Sequence, residues 1–517
     1  MEPISVYDTK ILSDTDRVTE KAFVVVGNVD AGKSSLIGCL TTGTLDDGRG
    51  LARKSVARHL HELKSGKTSV CSSRIIRYID GSKATLIDLC GHEKYFSTTA
   101  AGICGLWPDY GLIICSPSRG ILDMTRQHFR MLMSLNIPVM IVVTHVDSSL
   151  DDSCESLNRD IRRLCKTYRK SVEFVNNYTN YRSYARGKEL YKKNQNINNF
   201  IDNEKKDYTN YTEYDQMIIS HTQNAVQGLS MVSGKQIHIS VVYCSNVDGY
   251  YLDMIANVIQ EVPVRDLWGS ACENNGIFKY FINKLNIQFE TNDHKGSTFY
   301  IDGAFQPKGI GLVVSGINRG RTISVGDIVM IGSIKKEFHM VKIKSIHNDD
   351  RQSVHSLSHH HRGCVQIKPV DGKLDIRKNT IKRGMVIISD HHMLRNVCYR
   401  FEAAISVFGN HSTTIRTGYS PLINAGTIRQ SAKLFMESDM MLTINHVETK
   451  NQVTELRASD VHRVTFKFIT HPEYIERNMI FIFRSGEVHG VGVVLNILDM
   501  LSDPEAFPEQ SRKKKID

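Results

Sequence analysis

The chain lacks any apolar run long enough to cross a bilayer. Its longest, Ile137 to Val143, contains a proline and falls far short of the roughly 20 residues a spanning helix needs. No start resembling a signal peptide precedes the first apolar strand, so a cytosol is the expected compartment, the host's if the source is a virus. The 11 cysteines are odd in number, scattered and without a Cys-x-x-Cys pair, which argues against a disulfide scaffold or zinc ribbon and predicts reduced, mostly buried thiols. His359-His360-His361 lacks the spacing of a structural zinc site and reads as a solvated turn.

What is present suits a globular protein: 517 residues, 41% hydrophobic and 23% charged, are enough for about two to four domains with separate cores. A formal charge of +10 has the sign expected beside nucleic acid, but a Lys-rich surface without an RNA partner is equally consistent with it.

The most specific segment is Gly27-Asn28-Val29-Asp30-Ala31-Gly32-Lys33-Ser34, set directly behind the apolar strand Ala22–Val26 and ahead of a helical run from Leu36. In a phosphate-binding loop of this pattern, backbone N–H groups turn inward on the α- and β-phosphates. The lysine reaches the β- and γ-phosphates, and the serine ligands Mg²⁺. The nucleotide-binding set is therefore Asn28, Val29, Asp30, Ala31, Gly32, Lys33, Ser34 and Ser35.

The other elements of a nucleotide switch follow in order. Asp88 ends the strand Ala84–Ile87, where it would hold a Mg²⁺-bound water, and Gly91 offers an N–H to the γ-phosphate. Thr68, in Lys67-Thr68-Ser69, supplies a hydroxyl that completes Mg²⁺ coordination only when the γ-phosphate is present. His92, next to Gly91, is the candidate catalytic residue, since attack of water on the γ-phosphate needs orientation more than a strong base. Val29 forms part of an apolar gate that holds it out at rest. After the strand Val139–Val143 the chain reads Thr144-His145-Val146-Asp147. Asp147 is placed to accept from guanine N1–H and N2–H₂, donors that adenine lacks on that edge. Thr144 ties this loop to the phosphate loop, His145 stacks on the base, and Ser245-Asn246-Val247 contributes a backbone contact to the guanine oxygen.

Up to about residue 265, short apolar runs alternate with amphipathic stretches, the pattern of a parallel sheet flanked by helices. Further candidate strands are Ile75–Tyr78, Tyr110–Ile114 and Ile237–Tyr243. Between about 172 and 235 apolar periodicity fades and Asn, Tyr, Lys and Ser dominate, which predicts a surface insertion. Beyond Pro263 to Gly276, short β-rich runs separated by Gly, Asn and Asp turns predict two small β-barrels, divided near His391 to Cys398. The expected fold is an α/β P-loop G domain, with a mostly parallel sheet and flanking helices, over 1–270. Two small antiparallel β-barrels follow at 277–395 and 398–502, and a basic tail at 503–517.

These motifs together resemble the translational GTPases of the elongation factor Tu and elongation factor 1-alpha type, and within them the GTP-binding protein 1/2 family. The nearer resemblance is carried by Leu45-Asp46-Asp47-Gly48-Arg49-Gly50, Ser65-Gly66-Lys67-Thr68-Ser69, Ile87-Asp88-Leu89-Cys90-Gly91-His92-Glu93-Lys94-Tyr95, Gly426-Thr427-Ile428-Arg429-Gln430 and Pro472-Glu473-Tyr474. It implies binding of GTP/GDP and Mg²⁺, with Lys33 on the phosphates, Ser34 and Thr68 on the metal, Asp147 on guanine, and His92 on the attacking water. Asp30 carries over as a contributor to a monovalent-cation site. The resemblance further implies hydrolysis stimulated by the ribosome, tRNA or another RNA as partner, and a monomer that does not engage membranes. The family has lysine at the position of His145, so guanine affinity is where this chain departs. Two other functions stay open from sequence: a GTP-binding recruitment module for RNA-decay or other partners that needs no turnover, and a metabolic GTPase subunit of the kind that assists sulfate adenylylation.

Overall fold

A computed structural model describes residues 20–57, 71–185, 209–232, 235–265, 281, 284–285, 296–334, 337–371, 378–408, 415–436, 455–456, 461–485 and 487–498. Apolar runs with β-branched residues set the first sheet. Its strands are β1 (Glu20–Gly27), β2 (Ser72–Arg77), β3 (Lys83–Asp88), β4 (Tyr110–Cys115), β5 (Val139–Val143) and β6 (Val172–Phe174), then, after a small hairpin of β7 (Met231–Val232) and β8 (Lys235–Gln236), β9 (Ile239–Tyr243). The spatial order is β2-β3-β1-β4-β5-β9-β6, parallel except for β2 against β3. β4, β5 and β9 are buried at every position, as strands covered on both faces must be.

The helices are α1 (Lys33–Thr42), α2 (Leu51–Lys54), α3 (Phe96–Leu106), α4 (Asp123–Ser134), α5 (Asp151–Thr167), α6 (Thr209–Leu229) and α7 (Leu252–Glu261). α5 shows why they pack: Cys154, Leu157, Ile161 and Cys165 recur at helical spacing and are buried, while Asp151 and Asp152 sit in the first turn, where the helix dipole favours negative charge. β1 lies between β3 and β4, so the order reverses beside it. The carboxyl ends of the strands open a crevice at this switch point.

The stretch expected to be a surface insertion differs at both ends. β6 hydrogen-bonds parallel to β9, and α6 buries Ile218, Ala225 and Leu229 against the sheet. β6 is only three residues long, and α6 sets its few buried apolar residues among Thr, Gln, Asn and Tyr. The rest of that stretch, 186–208 and 233–234, lies outside the described residues, as does the basic tail.

Two closed six-stranded antiparallel barrels follow. The first joins Ser297–Phe305, Leu312–Gly320, Arg362–Pro369, Glu337–Asn348, Ile328–Ile334 and Val386–Ile388, the last strand pairing back to the first. The second joins Arg400–Val407, Val461–Phe468, Ile428–Met436, Leu422–Ala425, Ile480–Ser485 and Glu487–Ile497. Inward Phe, Ile and Val side chains fill each; Phe401, Phe466, Phe481 and Phe483 make the centre of the second.

α3 contacts both barrels. Ser97 Oγ accepts from Arg429 Nη2 and from Arg484 Nη2, each at 2.5 Å, and the Ala101 carbonyl accepts from Arg383 Nη2 at 3.0 Å. Trp107, which ends the helix at φ 46°, sets its ring 4.8 Å from that of Tyr300. A second clasp joins Asp350 of the first barrel to Arg77 and Lys83 of β2 and β3.

None of the ten described cysteines forms a disulfide, and most are buried. Among the described residues no helix is long and apolar enough to cross a membrane. His359 to His361 brace a turn: Gly320 N–H donates to His359 Nδ1 at 2.8 Å, and His360 lies against Arg319.

Candidate nucleotide site

At the carboxyl ends of β1 and β3 a cleft of about 280 Å³ is lined by Val29, Asp30, Gly32, Lys33, Ser34, Ser35, Gly91, His92 and His145, all predicted from sequence. Asp46, Gly48, Arg49, Gly50 and Arg53 also line it. The first four belong to a segment that was legible only as a marker of resemblance, and Arg53 lies just beyond it.

Two glycines make the cleft. Gly32, at φ 81°, ends the loop, and a Cβ there would lie 3.0 Å from His145 Cε1 and 3.2 Å from Thr144 Oγ1. A Cβ on Gly91 would lie 2.5 Å from Lys33 Nζ and 2.6 Å from the Gly27 carbonyl oxygen, so the turn after β3 meets the phosphate loop where only a hydrogen fits.

Lys33 is buried and donates from Nζ to the Asn28 carbonyl at 2.6 Å. Burial pulls its ammonium below the usual lysine range, while Asp88 and other nearby acidic groups act in the opposite sense. An anion in the cleft would restore the charged form. Ser34 Oγ donates to Asp88 Oδ2 at 2.6 Å, which brings a hydroxyl and a carboxylate from the ends of different elements to one point. This all-oxygen pair fits a hard dication that keeps waters and phosphate among its ligands. Among the described residues no group of three His, Cys, Asp or Glu side chains could hold a metal ion. Thr68 lies outside the described residues.

His92 opens a single 3₁₀ turn, Glu93–Tyr95, with Nδ1 accepting from Lys94 N–H at 3.2 Å and its ring 6.1 Å from that of Tyr95. It is half-buried and lines the cleft with Val29. Asp30, at φ 59°, pairs with Arg119 at 3.2 Å; both are exposed.

The loop after β5 is tied to the phosphate loop. Thr144 Oγ1 donates to the Ala31 carbonyl at 2.7 Å and lies 3.0 Å from His145 Nδ1. His145 is left-handed at φ 58°. The Asp147 Oδ1 atom is buried and has no hydrogen-bond partner among the described residues. A carboxylate oxygen in that state is costly unless a donor meets it, and a guanine edge supplies two donors. Beyond β9, Ser245 N–H donates to the Tyr250 carbonyl at 3.1 Å and Val247 N–H to Ser245 Oγ at 3.2 Å. The Asn246 side chain packs toward Gly32, and its buried Oδ1 also has no partner among the described residues.

Supporting residues that the sequence did not reveal come from the segment after β6. Asn176 exchanges hydrogen bonds with the Tyr243 backbone at 2.9 and 2.7 Å, Tyr181 OH donates to Asp248 Oδ2 at 2.7 Å, and Arg182 donates to the Val146 carbonyl at 3.2 Å. The polar composition that suggested a solvated insertion is that of a brace for the base loops.

A family model described as the elongation factor Tu GTP-binding domain matches residues 20–285. The chain is 27% identical to GTP-binding protein 1 of Xenopus laevis over 98% of its own length and 69% of that protein's. It is 26% identical to GTP-binding protein 2 of Mus musculus, over 94% and 70% of the two chains. Among solved structures, a bacterial selenocysteine-specific elongation factor superposes with a TM-score of 0.59 at 15% identity, over 93% of this chain. The match spans 59% of that factor's length. Translation elongation factor SelB of Methanococcus maripaludis, in complex with the GTP analogue GppNHp, gives a TM-score of 0.55 at 15% identity, over 92% of this chain and 79% of that one.

Proposed function

The chain belongs to the translational GTPases of the elongation factor Tu type, and on that premise we propose that it binds GTP with Mg²⁺ and hydrolyses it as a switch acting with tRNA and the ribosome. The observation that carries the nucleotide reading is the convergence of Lys33, the Ser34–Asp88 pair and Gly91 in the cleft that His145 also lines.

Each residue then has a task. Lys33 exchanges the Asn28 carbonyl for phosphate oxygens, and its depressed pKa is relieved by their charge. Ser34 and Thr68 would ligand Mg²⁺, with Asp88 holding one of its waters, and the ion would neutralise charge that develops on the transferred phosphoryl group. The Gly91 N–H meets the γ-phosphate. Asp147 accepts from the guanine edge, and Asn246 is the free position beside the guanine oxygen, since the N–H groups of Ser245 and Val247 are engaged within their turn. His92 orients the attacking water after its ring leaves the Lys94 N–H and moves inward past Val29.

Selenocysteine-specific elongation factors share the fold. That likeness and the basic balance of the chain support RNA and the ribosome as partners. Intrinsic hydrolysis should be slow and accelerated by ribosomes. His92→Ala should lose that acceleration by roughly a hundredfold or more while GTP affinity is kept. Unchanged ribosome-stimulated turnover in His92→Ala would remove the role assigned to the histidine.

A further inference from the structure

The cleft has a second wall, residues 46–53, that the phosphate-loop pattern does not require. Arg49, Gly50 and Arg53 line the cleft together with Lys33, Ser34 and His92. The backbone under the two guanidiniums is held from three sides. Asp47 Oδ1 accepts from the N–H groups of Arg49 at 2.8 Å and Leu51 at 3.1 Å, and Asp46 Oδ1 accepts from Ala52 N–H at 2.9 Å. Asp46 N–H donates to the Asn246 carbonyl at 2.8 Å, which joins this wall to the loop beyond β9. On α1, a Cβ at Gly38 would lie 2.2 Å from the Ala52 carbonyl oxygen, so α2 crosses α1 at a distance only glycine permits.

The Arg49 side chain is exposed and Arg53 is half-buried. Arg49 stands just before Gly50, the residue that caps α2, and Arg53 lies within that helix. Gly50, at φ 88°, lets the chain fold back between them, with its missing Cβ position 3.3 Å from Arg53 Nη2. A guanidinium offers paired planar donors that match phosphate oxygens and, unlike an ammonium, stays charged at any working pH.

We infer that Arg49 and Arg53 form a cationic clamp, supplied by this chain itself, on the polyphosphate of the bound nucleoside triphosphate. The inference rests on the nucleotide reading of the cleft and goes beyond it, because neither arginine belongs to the phosphate loop or to the residues flanking His92.

The test is competition of fluorescently labelled GTP by GTP and by guanosine, at several salt concentrations. It uses the wild-type chain, the double variants R49Q/R53Q and R49K/R53K, and each single glutamine variant. The glutamine double variant should lose GTP affinity by roughly ten- to hundredfold, keep its guanosine affinity and show a weaker salt dependence. The lysine double variant, which keeps the charge, should fall between it and the wild type. Unchanged GTP affinity in R49Q/R53Q overturns the clamp, and so does an equal loss for GTP and guanosine, which marks damage to the pocket. A wild-type chain that binds neither GTP nor guanosine overturns the nucleotide reading itself.

Discussion

Selection of guanine, on the proposed reading, falls on the buried Oδ1 of Asp147, which no described residue satisfies. Asp147→Asn should weaken GTP binding by on the order of a hundredfold, because a carboxylate that accepts twice becomes an amide that accepts once and presents a donor to a donor. The same amide matches xanthine, whose C2 carbonyl accepts where guanine donates, so xanthosine triphosphate should gain affinity in that variant. Equal weakening of both nucleotides, measured by competition, would mean that Asp147 acts through the fold and not through the base. The position of Asp147 was legible in the sequence because it follows an all-apolar strand. The setting of His145 was not. Its left-handed backbone, its approach to Thr144 Oγ1 and its ring against Gly32 arise from a loop packed onto another loop, a contact between distant segments that no local pattern encodes.

Among elements, α4 carries a buried group that the proposed chemistry does not use. His128 is fully buried on it, its ring stacked 6.1 Å from Phe96 of α3, and neither ring nitrogen has a hydrogen-bond partner among the described residues. Burial, and secondarily the charge of Lys33, push the imidazole down to about 3 from 6.5. As pH falls below 6.5 the unfolded chain binds the proton first, so stability present above that pH is lost progressively toward about 3. His128→Leu should therefore flatten the acid side of the stability profile. Urea midpoints between about pH 4.5 and 7.5 should fall more steeply for the wild type than for the variant, and parallel profiles would contradict the assignment. The elements themselves were largely legible: the runs at Ala22–Val26, Ala84–Ile87, Tyr110–Ile114 and Val139–Val143 all lie in strands. β6 and α6 were missed because two apolar positions in a three-residue strand, or a narrow stripe within a Thr- and Gln-rich helix, do not rise above the surrounding polar composition.

At the scale of the molecule, α3 ties the cleft to the barrels. It begins four residues after His92, and its Ser97, Ala101 and Trp107 are held by Arg429, Arg484, Arg383 and Tyr300 from both barrels. On the proposed reading, a displacement that spreads from the turn carrying Gly91 and His92 into α3 would either carry the barrels with it or break these contacts, so a phosphate-sized change in the cleft would be read far from it. Two barrels were legible from strand spacing, but not their attachment, since the residues that make it are single side chains from segments hundreds of positions apart. The whole arrangement is useful as a switch only if the cleft distinguishes guanine nucleotides from others. The most direct measurement is the equilibrium affinity of the purified chain for GTP, GDP and ATP in the presence of Mg²⁺. GTP and GDP should bind with ATP weaker by roughly a hundredfold or more, whereas comparable affinities for ATP and GTP would contradict the guanine assignment and the GTP-gated switch built upon it.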